Sequence, residues 1–163
     1  MNAPVTLPDP IWFSGVWSEW AAFVDKYYET FRQDFLTPPK PRFQGRPVLV
    51  SRFSGPEDDG KEAKFWHLIT KEHKEGGRDP DPNRAERINW IRFIIENHQH
   101  FKTWKYLEAV KNKMEPRWYI WAEADNFLVI IAERDGLYHL ITSFWVEDWN
   151  KAKLNNKYDK REP

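Results

Sequence analysis

Three apolar runs joined by very short polar turns constrain this chain more than any other feature. Arg117-Trp-Tyr-Ile-Trp-Ala, Asn126-Phe-Leu-Val-Ile-Ile-Ala-Glu-Arg and Leu137-Tyr-His-Leu-Ile-Thr-Ser-Phe follow one another with no room for a crossover helix. Parallel neighbours need a connection of about a dozen residues, so the runs predict an antiparallel meander. Asp135-Gly136 strengthens that reading, because a two-residue type I′ turn requires positive φ at both central positions. With 163 residues the chain has the length of one domain, and helical patterns ahead of the meander make the expected class α+β.

The segment before the meander reads less evenly. Residues 1–10 are Pro-rich and predict an arm. Ser18 is a candidate N-cap for a helix to Phe35, with Trp20, Phe23, Val24, Tyr27, Tyr28 and Phe31 at helical spacing. Residues 1–36 therefore form an arm and helix ahead of a body at 47–160, the whole making one compact domain. Val48–Val50 and Phe65–Thr70 read as short strands, which places His67 on a strand. Lys71–Asn83, charged and rich in Gly and Pro, predicts a mobile loop. Ala85–Asn97 carries Ile88, Ile91, Ile94 and Ile95 at helical spacing, with Asn83 as its cap. Thr103–Lys111 reads as a helix with Trp104, Leu107 and Val110 on its apolar side, and Val146 onward as a basic helical tail.

Composition narrows the chemistry. There is no Cys, which excludes disulfides, thiolate catalysis and sulfur-ligated zinc; a reducing, cytoplasmic setting is the expectation. No H-E-x-x-H or D-x-D-x-D-G spacing occurs, so neither a metal nor another cofactor is expected. No signal-like leader or membrane span is read from the sequence, and no membrane partner is expected. Twenty-five basic and twenty-five acidic side chains balance, but unevenly along the chain. The first 36 residues hold two basic and five acidic groups, while residues 61–117 hold thirteen basic and nine acidic. An acidic N-terminal helix lying over a basic cleft as a brake is one expectation from that asymmetry.

Phe65-Trp-His-Leu-Ile-Thr, Arg84-Ala-Glu-Arg-Ile-Asn-Trp-Ile-Arg, Arg117-Trp-Tyr-Ile-Trp, Leu128-Val-Ile-Ile-Ala-Glu-Arg, Tyr138-His-Leu-Ile-Thr-Ser-Phe and Lys151-Ala-Lys-Leu-Asn-Asn-Lys-Tyr follow one another along the chain. Taken in that order, these stretches are similar to phage-associated nucleases of the Barnase-EndoU-colicin-RelE class. The resemblance covers residues 47–160. It implies a RelE-like fold with helices on a small meander and a basic C-terminal helix. It also implies metal-independent endoribonuclease activity on transfer or messenger RNA by 2′-OH attack, a role as toxin or effector in conflict between phage and host, and an antitoxin or immunity protein as partner.

Cleaving RNA without metal requires a base for the 2′-OH, an acid for the 5′-oxygen and positive charge on the phosphate. The residues that offer this are His67, Arg87, Thr142 and Lys151 as catalytic candidates. Arg84, Arg92, Trp121, Arg134, Lys153 and Tyr158 are candidates for holding substrate, with aromatic rings stacking splayed bases. Each has a plainer reading. Arg92 is spaced to pair with Glu96, Arg134 flanks a turn, and Thr142 is an ordinary β-branched strand residue. The alternative function is a catalytically silent protein- or RNA-binding module of the same fold.

Overall fold

The computed structural model describes residues 5–163; Met1–Pro4, the start of the expected arm, lie outside the described residues. Among the described residues the fold is α+β, with five α-helices and a mostly antiparallel six-stranded sheet. The meander forms as expected and is one strand longer. Strands β5 (Lys102–Val110), β6 (Lys113–Ala122), β7 (Phe127–Arg134) and β8 (Leu137–Trp145) are joined by tight turns. Asp135 and Gly136 both take positive φ, at 55° and 77°. β1 (Arg42–Phe43) and β2 (Arg46–Leu49) extend the sheet in the order β1-β2-β8-β7-β6-β5, with β2 parallel to β8.

Thr103–Lys111 is a strand, not a helix. Every residue from Lys102 to Val110 has a partner on β6, and Trp104, Tyr106 and Glu108 share one face. Trp104, Leu107 and Val110 match a helical spacing only by coincidence, and nine ladder partners outweigh it.

Helices α1 (Trp20–Phe31) and α4 (Ile88–Glu96) lie on one face of the sheet. After Phe31 a π-helical turn, Arg32–Leu36, ends the element just before Thr37-Pro38. Ser18 does not cap: it lies in a 3₁₀ turn, Trp17–Glu19, while Ser14 Oγ donates to Glu19 Oε1. Tyr27, Phe31 and Phe35 are buried with Ile91, Ile94, Ile95, Ile120, Val129 and Ile131 in the main core. The N-terminal helix is thus an integral layer, not a detachable brake over a cleft. The segment before it is strapped down as well: Ile11 N donates to Glu86 O, and Trp90 Nε1 to Pro8 O.

The other face carries a second, smaller core of Trp104, Tyr119, Trp121, Leu128, Ile130, Val146 and Leu154. It is covered by α5 (Asp148–Asp159), of which only Leu154 is buried. No helix among the described residues is long and apolar enough to cross a membrane.

Candidate functional site

Of the expected strand Phe65–Thr70, only Thr70 is in a strand. Residues Ala63–Ile69 form helix α2, whose Phe65, Leu68 and Ile69 are buried at 3–4 spacing while Trp66 and His67 are half-exposed. A short apolar run fits either element, and here the spacing of the buried residues selects the helix. Helical geometry places Lys64 and His67 one turn apart on the same side. That side faces β8.

β8 receives α2 because its neighbour stops early. On β8, β2 reaches only Tyr138 and His139 among the described residues, so from Leu140 onward the outer edge of β8 has no strand partner. A bulge then changes which side chains reach that edge. Ile131 is opposite Leu140 but Ile130 is opposite Thr142, leaving Ile141 as the extra residue. Without it Thr142 would turn toward α1 and α4; with it Thr142 lies on the same face as His139 and Arg117, which share a row through Ala132. His67 Nε2 lies 3.1 Å from Thr142 Oγ1, and Lys64 Nζ donates to the carbonyl of Ile141.

The chain after α2 supplies Arg78 and Arg84, and Lys71–Asn83, expected as a mobile loop, is folded. β3 (Thr70–Glu72) and β4 (Arg78–Pro80) form a two-stranded ribbon, followed by α3 (Pro82–Ala85). The expected helix Ala85–Asn97 begins only at Ile88, after Arg87 and with no side-chain cap, and its expected cap Asn83 lies inside α3. α3 is capped by Asp81, whose side chain accepts from Arg84 N, and Pro82 takes the first helical position, where no amide is needed. Arg78 Nε donates to Thr70 Oγ1, and its Nη2 to the carbonyls of His67 and Thr70. Arg84 Nη1 donates to the same two carbonyls at 3.2 and 3.0 Å, with its guanidinium over the Phe144 ring. Two arginines thus converge on the C-terminal end of α2, where backbone carbonyls lack helical partners and the helix dipole is negative.

The electrostatics follow from this crowding. Burial, then Lys64, Arg78 and Arg84, pull the His67 imidazole down to about 4, so it is neutral at physiological pH. Burial, then Arg134, Arg117 and Arg78, pull the Lys64 ammonium down to about 8. His139 is also held below its usual value, by burial and by Arg134. Arg117 and Arg134 share the carboxylate of Glu115. The result is a cationic strip with a neutral imidazole inside it and few opposing carboxylates. No group of three or more His, Asp or Glu side chains suited to a metal ion occurs among the described residues.

The structure gathers part of the expected set. His67, Thr142 and Arg84 meet, and Arg134 lies within electrostatic reach through Lys64. Arg87 does not join them: it is nearly buried, with its guanidinium 4.4 Å from Trp145 and 5.3 Å from Trp90, and Nη1 donates to Asn83 O. Arg92 pairs with Glu96 and donates to Asp34 O, tying α4 to the π-helical turn. Trp121 is 1% exposed in the second core, so no base can stack on it in this arrangement. Tyr158 packs edge-on against Trp104 and docks α5. Lys151 is paired with Asp148, and neither it nor Lys153 has a hydrogen bond or ion pair to His67 or Thr142.

Lys64, Arg78 and His139 are members of the cluster that the sequence reading missed. The helical spacing of Lys64 and His67 was the available signal for the first; Arg78 gave none, because it arrives through the ribbon. The chain matches no protein-family model, no curated protein and no solved structure.

Proposed function

We propose that the chain is a metal-independent endoribonuclease of the Barnase-EndoU-colicin-RelE type, with His67 as the base that takes the 2′-OH proton. The observation that supports this most is the contact between His67 and Thr142 on a rim formed by Lys64, Arg78 and Arg84. A base must be unprotonated at working pH, and this imidazole is. With its Nε2–H donating to Thr142 Oγ1, the ring presents the lone pair of Nδ1, which has no hydrogen-bond partner among the described residues; Thr142 is then a positioning residue. Arg78 and Arg84 are anchored by backbone carbonyls, Arg84 Nε also pairs with Asp81 Oδ2 at 3.5 Å, and the N–H groups of Arg78 Nη1 and Arg84 Nη2 are the ones offered to a phosphate.

Bound phosphate also improves the base. Its negative charge offsets the three cations that repel a proton from His67, so the imidazole becomes more basic when substrate is present. The biological reading is a toxin or phage–host effector acting in the cytoplasm on transfer or messenger RNA, restrained by an antitoxin or immunity protein. Inducing the wild-type chain and His67→Ala in a bacterium tests it. Growth arrest with discrete RNA fragments from the wild type alone is expected. Intact RNA from both would move the reading to the silent binding module, which the exposed rings of Trp12 and Trp17 favour.

A further inference from the structure

On the nuclease reading above, the general acid is still to be assigned, and the geometry points to Lys64: we propose that its ammonium protonates the 5′-oxygen leaving group opposite the base His67. Three observations carry this. First, Lys64 and His67 stand one turn apart on α2 and both reach the bulged segment of β8, at consecutive residues: Lys64 on the carbonyl of Ile141, His67 on the hydroxyl of Thr142. An acid and a base are therefore held one helical turn apart over one short stretch of backbone.

Second, elimination leaves one donor. Arg78, Arg84, Arg117 and Arg134 are guanidinium groups that stay protonated at any working pH and cannot serve as proton donors. His139, held below its usual value by burial and by Arg134, keeps a proton less readily than a free imidazole. Among the cations of the cluster, only Lys64 can both carry and release a proton.

Third, Lys64 lacks the partner that surface lysines commonly have. It is half-buried and ion-pairs with no carboxylate among the described residues. What faces it is cationic or neutral: His67 on its own helix, Arg78 on β4, Arg117 on β6, Arg134 on β7 and the Ile141 carbonyl on β8. The carboxylate of Glu115 is occupied by Arg117 and Arg134. That environment holds the ammonium at about 8, so at neutral pH it is charged yet releases its proton readily.

The step balances. The 2′-OH proton passes to His67 Nδ1 as O2′ bonds to phosphorus. The bond from phosphorus to O5′ breaks, and O5′ takes a proton from Lys64 Nζ. The products are a 2′,3′-cyclic phosphate and a 5′-OH. The Lys64 amine and the His67 imidazolium then exchange one proton each with water to restore both groups.

The test compares two oligoribonucleotides with a single cleavable linkage, one with the natural 5′-oxygen and one with a 5′-bridging sulfur, whose thiolate leaves without protonation. Lys64→Met should lose roughly 10²–10⁴-fold on the oxygen substrate, the usual contribution of a general acid, while cleaving the sulfur substrate at close to the wild-type rate. Because the chain has no Cys, Lys64→Cys can be alkylated cleanly with 2-bromoethylamine, which rebuilds an amine of nearly the same length. Alkylation should restore cleavage of the oxygen substrate. Equal losses on both substrates, or no loss on either, would overturn the role of Lys64. A wild type that cleaves neither would overturn the nuclease reading itself.

Discussion

The imidazole of His67 sits between burial and three cations, and this makes its protonation an indicator of what occupies the site. Nuclear magnetic resonance titration should find it neutral down to about pH 4 in the free protein. Adding a nucleoside 3′-monophosphate should raise that value; an unchanged titration would mean that phosphate binds elsewhere. The same shift has a stability consequence. The folded state binds its proton less readily than the unfolded chain, whose His titrates near 6.5, so this contribution is fully present above that pH. It is lost as pH falls from about 6.5 toward 4. The decrease in the urea midpoint across that window should be smaller in His67→Gln. If Lys64 is the acid, kcat/KM should also fall on the alkaline side near pH 8 and lose that limb in Lys64→Met. His67, Thr142 and Arg84 were legible because their residue types and order suggested them. Lys64 was not, because a strand reading of Phe65–Thr70 hides its one-turn spacing from His67.

Turn chemistry made the elements legible where it was local, and partners in space decided the rest. Asp135-Gly136 needs no tertiary context, and its positive φ values appear as read. Gly136→Ala should cost about 1–2 kcal/mol, because an added Cβ meets no atoms but strains the left-handed backbone. β5 was hidden because its pattern fits a helix until β6 lies beside it. The β3–β4 ribbon was hidden because its polar residues alternate in no readable way; only backbone pairing and the reach of Arg78 to Thr70 define it. The bulge at Ile141 was equally invisible, although it is what turns Thr142 to the His67 side. α1 follows its apolar stripe into the core, so Phe31→Ala should cost about 3–5 kcal/mol in urea unfolding, as expected for a fully buried ring. A small effect there would mean that α1 is only loosely attached.

Across the whole molecule, neutral composition conceals an uneven surface. The sheet separates two cores, and the cationic strip occupies the open edge of β8, where α2, the ribbon and α3 come together. A protein with no net charge needs such clustering to hold a polyanion, since affinity grows with the number of phosphates neutralised. If Lys64, Arg78 and Arg84 each engage one phosphate charge, the logarithm of affinity for single-stranded RNA should fall with the logarithm of salt at a slope of roughly −2. Replacing any one of them should reduce that slope by about 0.7. The proposed cleavage by 2′-OH attack, with His67 as base, is decided with purified protein in EDTA and an oligoribonucleotide carrying one 2′-deoxy residue at the cleaved position. The all-ribose strand should yield 2′,3′-cyclic phosphate and 5′-OH ends, and both the deoxy substitution and His67→Ala should abolish cleavage. Cleavage of the deoxy strand, or undiminished cleavage by His67→Ala, would contradict it.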